Sequence, residues 1–223
     1  MTSTSNSFGN KCWQRLPKRA RKSPGEPVCQ VSRPAQSTRN SIWWQTFAMT
    51  SETTYFATGC FWGAERRLWQ VPGVVATSVG YMGGEVPEPF YELVCTGKTG
   101  HAEIVEVTFD PALITYHDLL KEFWTMHDPT TLNRQGNDVG SQYRSAIFTT
   151  SPDQLAEAQE SAAIYQGALK TAGVGSITTQ IRAADGMTYW LAEDYHQKYL
   201  KKNPRGYDCH SSAGVPFPSE VSA

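Results

Sequence analysis

Long apolar runs and paired cysteines are both missing from this chain. No stretch approaches the roughly 20 apolar residues of a membrane-spanning helix, so we expect no membrane segment. The formal net charge is −1, which gives no reason to expect a nucleic-acid partner. The five cysteines form no C-x-x-C pair and no zinc-binding spacing, so we predict no metal site and no bound cofactor.

The first 49 residues differ in composition from the rest of the chain. They contain eight basic residues, one acidic residue and seven serines. A basic, Ser-rich and acid-poor segment is typical of an organelle transit peptide, although Pro17, Pro24 and Pro27 weaken the amphipathic helix that such a peptide forms. Two interpretations stay open: a mitochondrial targeting segment, or a disordered extension of a cytoplasmic protein with Met49 as an alternative start.

Residues 50–223 alternate between strand and helix patterns. Segments rich in β-branched or alternating apolar residues predict strands at 53–58, 74–82, 103–110, 143–150 and 177–185. Apolar residues at helical spacing and capping residues predict helices at 64–70, 117–128 and 151–169. We predict long loops at 85–101 and 129–142, an amphipathic segment at 190–203 and coil from 204 onward. Because some connections are too short for helical crossovers, these elements predict one α+β domain with a mixed sheet.

One cysteine lies where a reactive thiol is favoured. Cys60, in TGCFWGAER, follows a predicted strand and precedes a predicted helix. A thiol at a helix N-terminus is close to unpaired N–H groups and the positive end of the helix dipole, which favour the nucleophilic thiolate. Gly59 and Gly63 permit a tight turn, and Phe61 and Trp62 supply an apolar wall. On this segment alone, a buried and inert cysteine is an equally good interpretation.

The two long predicted loops favour a chemical role. Loops of this length without regular structure are usually functional or disordered. They carry FYE, TGHAE and QGND, which supply phenol, imidazole and carboxylate groups suited to acid–base chemistry.

Several segments together resemble the A-type peptide methionine sulfoxide reductases. They are GCFWGAE, GYMGG, PFYELVCTGKTGHAE, DPTTLNRQGNDVGSQYRSAIF and AEDYHQKYLKKNPRGY, in family order over about residues 53–210. The resemblance implies a catalytic domain over 50–223 with a ferredoxin-like (α-β plait) core and a flexible coil tail at 204–223. It implies reduction of the S-epimer of methionine sulfoxide, free or in proteins, as a repair of oxidised proteins. It also implies a monomer.

The resemblance also implies roles for particular residues. Cys60 would attack the sulfoxide sulfur and become a sulfenic acid. Glu103 would be held protonated and would donate its proton to the leaving oxygen. Tyr91 and Tyr143 would hydrogen-bond the same oxygen, with Asp138 in the polar network behind them.

The same resemblance implies a methyl pocket and a recycling cysteine. Phe61 and Trp62 would receive the substrate methyl group. Cys209, in GYDCH, would form a disulfide with Cys60, although it stands one residue later than in members reading GYC. Thioredoxin, or dithiothreitol in vitro, would reduce this disulfide. Cys95 is interpreted as a non-catalytic loop thiol.

Other interpretations stay open on the residues alone. Glu103 suits the exposed start of a strand, and Asp138 suits a turn. We interpret His101 as structural or as a support behind the catalytic residues, His127 as a packed core histidine and Glu65 as a support for the first turn of its helix. A cysteine hydrolase with a histidine base, or a non-enzymatic module whose aromatics form a docking face, are the two rival functions. Sulfoxide turnover that depends on dithiothreitol separates both from a reductase.

Overall fold

The computed structural model describes residues 50–208 and 211–219, so the extension at 1–49 lies outside the described part of the chain. The strands are β1 Glu52–Thr58, β2 Val74–Met82, β3 Ala102–Phe109, β4 Arg134–Gln135, β5 Asp138–Val139, β6 Ser145–Thr149, β7 Gln180–Ala183 and β8 Trp190–Leu191. The helices are α1 Phe61–Leu68, α2 Tyr91–Cys95, α3 Tyr116–Met126, α4 Pro152–Thr171 and α5 Tyr199–Lys202, with a 3-10 turn at Ser141–Tyr143.

Six strands form one mixed sheet in the order β7-β6-β1-β3-β2-β8. The β6–β7 pair is parallel and the other pairs are antiparallel. The chain order β1-α1-β2-β3-α3-β6 with the spatial order β6-β1-β3-β2 is the α-β plait, and β7 and β8 extend it at the two edges. The predicted α+β class with a mixed sheet is confirmed.

The central strand β3 is buried on both faces, whereas its alternating sequence predicted a half-buried strand. Val105, Val107 and Phe109 pack into the main core with the helices. Ile104 faces the opposite side, where it packs in a second apolar cluster with Phe148 and neighbouring residues. Because side chains alternate along a strand, Glu103 lies on the same face as Val105, toward the helices.

The predicted helices with a long apolar period are confirmed, and α4 also has the predicted start signals. The Ser151 hydroxyl caps α4 by accepting the Gln154 N–H at 3.2 Å, and Pro152 occupies the first turn.

In residues 50–208 and 211–219, no helix has the length and apolar character that crossing a membrane requires.

Three segments depart from the predicted secondary structure. The predicted loop at 85–101 contains α2, and the predicted loop at 129–142 contains the β4–β5 hairpin and the 3-10 turn. The amphipathic segment 190–203 is mostly turns between β8 and α5. Elements of two to five residues are too short to show a hydrophobic period, so tertiary contacts determine them.

Glu65 anchors this C-terminal segment, and the prediction that it supports the first turn of its own helix is wrong. The Glu65 side chain is fully buried, and its carboxylate accepts the backbone N–H of Lys198 at 2.9 Å and the Lys198 Nζ at 2.8 Å. The Thr77 hydroxyl donates to the same carboxylate at 3.1 Å. A buried charge needs such partners, and they lie outside α1. The segment that precedes α5 is therefore fixed against α1 and β2.

Candidate active site

Cys60 occupies the N-cap position between β1 and α1, as the sequence predicted. Its side chain is 6% exposed, and the amide groups of the first turn of α1 start immediately after it. Gly59 has a φ of 96°, and a Cβ built on it would lie 2.5 Å from the Cβ of Gln135. The backbone angle and the space both require glycine there. The turn that presents Cys60 is therefore sterically defined.

Glu103 is held directly beside this turn. Its Oε2 accepts the backbone N–H of Phe61 at 3.0 Å, and the residue is only 2% exposed. Burial raises the pKa of Glu103 to about 8, with the charge of Asp138 adding to the rise and the Phe61 N–H opposing it. The carboxyl group is therefore mostly protonated at neutral pH. Because the Phe61 N–H occupies Oε2, the proton belongs on Oε1.

Two tyrosines from different elements converge on the same place. Burial raises the pKa of Tyr91, with a hydrogen bond to Cys95 and the charge of Glu103 as further causes. Burial also raises the pKa of Tyr143, and the charges of Glu103, Cys95, Asp138 and Cys60 act in the same direction. Both phenols therefore stay neutral and can donate hydrogen bonds.

Cys95 lies beside these tyrosines and not in a loop. It is the last residue of α2 and is exposed, and its thiol is hydrogen-bonded with the side chains of Tyr91 and Tyr143. Burial of the thiol, more than its neighbours, raises the pKa of Cys95. The thiol form is therefore favoured, and Cys95 is a weaker nucleophile than an ordinary thiol at neutral pH.

Asp138 joins the site from the short strand β5. The Tyr207 hydroxyl donates to its Oδ1 at 3.0 Å. Its Oδ2 is buried and has no hydrogen-bond partner in the part of the chain that the structure describes. Through its charge, Asp138 raises the pKa values of Glu103 and Tyr143. It therefore favours the protonated, donating forms of both groups.

An aromatic wall stands next to Cys60 on α1. The Trp62 indole stacks on Tyr199, with ring centroids 3.9 Å apart and planes at 18°. Its Nε1–H donates to Nδ1 of His196 at 2.9 Å. The His196 ring also lies 5.0 Å from the Phe61 ring and 4.6 Å from the Tyr91 ring. His196 is thus the common support of the aromatic wall and of one pocket tyrosine.

His196 and Tyr199 are site residues that the sequence reasoning did not single out. The only signal was their position in AEDYHQKYL, one of the segments that resembles the family. Because Nδ1 of His196 accepts from Trp62, the neutral ring carries its proton on Nε2. Burial lowers the pKa of His196 against the opposing charge of Glu193, so the ring stays neutral. A neutral ring preserves the acceptor that holds Trp62.

We expect His196→Phe to raise about tenfold the KM for methionine sulfoxide, the substrate that the family resemblance implies. The partly buried Trp62 N–H loses its acceptor, at a cost of about 1–3 kcal/mol. His196→Asn offers an amide oxygen near the Nδ1 position and should keep the KM within about threefold of wild type. Steady-state kinetics on the three proteins check this. Equal KM values in the Phe and Asn variants would contradict a role for the acceptor.

His101 and His127 are structural, as predicted. Nδ1 of His101 accepts the Gly84 N–H at 3.1 Å, and its Nε2 lies 2.8 Å from the Val86 carbonyl oxygen. Nδ1 of His127 lies 2.8 Å from the Phe123 carbonyl oxygen and its Nε2 lies 2.7 Å from the Ser145 hydroxyl. With both ring nitrogens engaged, neither histidine is available as the base that a cysteine hydrolase needs.

Cys209 lies outside the described residues, but the residues on either side of it are placed. Asp208 forms an ion pair with Arg66 in α1. The Ser211 hydroxyl donates to Oε1 of Gln135 at 3.2 Å, and Gln135 is the residue that packs against Gly59. The structure thus brings together every site residue that the sequence predicted except Cys209. In the described ranges, no cluster of three or more His, Cys, Asp or Glu side chains could hold a metal ion.

Comparison with known proteins identifies the family. The sequence model described as "Peptide methionine sulfoxide reductase" matches residues 52–216. The chain belongs to this family. It is therefore a thiol-dependent oxidoreductase that reduces methionine sulfoxide to methionine and so repairs oxidised proteins. The predicted family and enzyme class are confirmed.

Individual relatives agree with this assignment. Peptide methionine sulfoxide reductase MsrA of Rhodospirillum centenum is 56% identical over 174 residues, which cover 77% of this chain and 78% of that protein. Methionine sulfoxide reductase A of Corynebacterium diphtheriae has a similar structure, with a TM-score of 0.68 and 48% identity, over 76% of this chain and 84% of that chain. Mxr1 from Saccharomyces cerevisiae in reduced form has a TM-score of 0.65 and 37% identity, over 73% of this chain and 92% of that chain.

Proposed function

We propose that this reductase acts on the S-epimer of methionine sulfoxide, free or in proteins, through Cys60, Glu103 and Cys209, with thioredoxin as the reductant. The catalytic unit is residues 50–223, acting as a monomer. The observation that carries the proposal is the buried Glu103 carboxyl group bonded to the Phe61 N–H, one residue after Cys60. It pairs a nucleophile with a proton donor, as reduction of a sulfoxide requires.

The first step is attack by the Cys60 thiolate on the sulfoxide sulfur. The N-terminus of α1 favours the thiolate because its amide dipoles point toward the cap position. The sulfoxide oxygen is transferred to Cys60, methionine leaves, and Cys60 becomes a sulfenic acid. The electrons for reduction come from the Cys60 sulfur.

The second requirement is neutralisation of the oxygen as its bond to sulfur weakens. Glu103 supplies a proton because its pKa of about 8 keeps it in the acid form at neutral pH. The neutral hydroxyls of Tyr91 and Tyr143 donate hydrogen bonds to the same oxygen. Asp138 supports this arrangement because its charge favours the protonated state of both Glu103 and Tyr143.

The site distinguishes the two epimers because it fixes the directions of three groups around the pyramidal sulfur of the substrate. The oxygen faces Glu103 and the tyrosines, and the nucleophile approaches from the Cys60 side. The substrate methyl group contacts the indole of Trp62, with Phe61 packed beneath it and only 1% exposed. With these directions fixed, only one handedness fits, and the family resemblance indicates the S-epimer.

Recycling proceeds through the tail. The Cys209 thiol attacks the Cys60 sulfenic acid, which forms the Cys60–Cys209 disulfide and releases water. The attachment of Ser211 to Gln135 supports this step, because Gln135 packs against Gly59 in the Cys60 turn. Asp208 is in turn paired with Arg66 on α1, the helix that follows Cys60. The dithiol of thioredoxin then reduces the disulfide. Whether the compartment is cytoplasmic or mitochondrial depends on residues 1–49 and stays a prediction.

Cys209→Ser tests the recycling step. With thioredoxin as the only reductant, we expect about one methionine per enzyme and then a stall, because the sulfenic acid has no resolving thiol. The intact mass should rise by about 16 Da, and dimedone should label the protein. Cys29→Ser, in the extension, is the matched control and should continue to turn over. Normal cycling of Cys209→Ser would show that another thiol resolves the sulfenic acid.

A further inference from the structure

A segment of coil near the end of the described chain is docked along α3 and α4. We call residues 211–217 the tail anchor. The Tyr165 hydroxyl donates to the Val215 carbonyl oxygen at 2.7 Å. The Phe217 ring stacks on the Tyr165 ring, with centroids 5.8 Å apart and planes at 5°, and meets the His117 ring edge-on at the same distance. The Ser212 hydroxyl donates to the Thr125 carbonyl oxygen at 2.8 Å.

These contacts join the tail anchor to the main core. Ala213, Val215 and Phe217 pack against the core cluster that contains Tyr165. Tyr165 is itself fully buried in α4, where its ring lies 5.7 Å from the Trp124 ring. The anchor is therefore held by apolar contacts and by one buried hydroxyl, and not by exposed polar contacts alone.

The tail is also fixed before Cys209. Asp208 is paired with Arg66, and the Tyr207 hydroxyl donates to Asp138 at 3.0 Å. Between Asp208 and Ser211 the chain has three Cα–Cα steps and can span at most about 11 Å. The described residues on the two sides of this short stretch are attached at the active site, Tyr207 to Asp138 and Ser211 to Gln135, which packs against Gly59.

We propose that the tail anchor is a positioning element for the recycling reaction, with Tyr165 and Phe217 as its positioning residues. The proposal rests on the proposed resolving role of Cys209. By holding the chain from residue 211 onward on the protein surface, the anchor raises the effective concentration of the Cys209 thiol near Cys60. It takes no part in the reduction of methionine sulfoxide, because its contacts lie on α3 and α4.

Disulfide formation, the step that the anchor accelerates, needs no oxidant or reductant from outside the protein. Cys209–SH and Cys60–SOH give the Cys60–Cys209 disulfide and one water. The S–O bond of Cys60 breaks, the S–S bond forms, and the thiol proton leaves with the hydroxyl group. The sulfenic acid is the oxidant, and the reductase reaction has already supplied it.

The experiment separates the two steps in the reduced full-length protein. After rapid mixing with methionine S-sulfoxide and no reductant, methionine is quantified, and dimedone trapping follows the lifetime of the sulfenic acid. Phe217→Ala removes the stacked ring, and Tyr165→Phe removes only the hydroxyl that binds Val215. For both variants we expect a methionine burst within about twofold of wild type and disulfide closure slowed about tenfold. Intact mass reports closure as a loss of about 18 Da from the sulfenic acid, which leaves the protein about 2 Da lighter than its reduced form.

Ile164→Ala is the matched control, since Ile164 is the exposed neighbour of Tyr165 on α4. It should leave both steps at the wild-type rate. Disulfide closure at the wild-type rate in both anchor variants would overturn the proposal, as would an equal slowing of the methionine burst and of closure. Cys209→Ser is measured in parallel. If Cys209→Ser still closes a disulfide with Cys60, the assignment of Cys209 as the resolving cysteine is wrong. If only the two anchor variants close at the wild-type rate, Cys209 keeps its role and the anchor proposal alone is wrong.

Discussion

Cys60→Ser should reduce methionine formation to the level of an enzyme-free control, a loss of at least about 10⁴-fold. A serine hydroxyl fits the N-cap position between β1 and α1, so the fold should be retained. It cannot act as a thiolate, and it cannot accept the sulfoxide oxygen to form a sulfenic acid. The measurement is methionine released from a dabsyl-labelled methionine S-sulfoxide with dithiothreitol in excess.

The matched control for this variant is again Cys29→Ser, which changes the same atom in the extension and should show wild-type activity. Circular dichroism confirms that Cys60→Ser is folded. Methionine formation by the folded Cys60→Ser protein would assign the nucleophile to another cysteine, and Cys95 beside Tyr91 and Tyr143 would then be the first to replace.

Glu103→Gln should lower kcat by about 10²–10⁴-fold while changing the KM by only a few-fold. The amide keeps the hydrogen-bonding shape and can donate to the sulfoxide oxygen, but it cannot transfer a proton at neutral pH. Steady-state kinetics with dithiothreitol check this. Glu106→Gln is the matched control, because Glu106 lies on the same strand and its carboxylate accepts a hydrogen bond from the Ser78 hydroxyl. Equal losses in both variants would contradict the role of Glu103 as the donor.

The pH dependence of the wild-type enzyme provides a second readout of the same group. Because the pKa of Glu103 is about 8, the donating form is lost as the pH rises through 8, and kcat should fall about tenfold per pH unit above it. In Glu103→Gln this alkaline limb should be absent.

The same carboxyl group has a consequence for stability, with a definite sign. Its pKa is higher in the folded state, about 8, than its ordinary value of 4.5, so the folded state binds more protons between these two pH values. The free energy of unfolding therefore decreases as the pH rises from about 4.5 to about 8. Glu103→Gln removes this loss and should be more stable than wild type at pH 9 by about 1–4 kcal/mol in urea unfolding. A variant that loses activity and gains stability at high pH is the signature of a proton donor held in a buried site.

The part of the site that the sequence could predict is local. A glycine between a strand and a helix defines the turn at Gly59, so the N-cap position of Cys60 follows from neighbouring residues. Glu103 could be placed on β3, but the sequence pattern alone suggested an exposed residue. Its burial depends on strands β1 and β2 on either side and on α1 above it, which are distant along the chain.

The part of the site that the sequence could not predict lies in segments without a hydrophobic repeat. Its structure depends on contacts with residues that are distant along the chain. His196 lies in a segment of turns, and only the approach of Trp62 from α1, 134 residues earlier, shows what it does. The tail similarly lacks any apolar repeat. Tyr165 in α4 makes two of the contacts that dock it, and the helix pattern of residues 151–169 does not distinguish Tyr165 as a docking residue.

The low exposure of Cys60, at 6%, also affects how this enzyme survives oxidative stress. A sulfenic acid in open solvent is converted by a second equivalent of peroxide into a sulfinic acid, which thiols do not reverse. In the proposed cycle the same intermediate forms at Cys60, where little of the side chain is open to solvent. We therefore expect the buried position of Cys60 to slow inactivation of the enzyme by the oxidants whose damage it repairs.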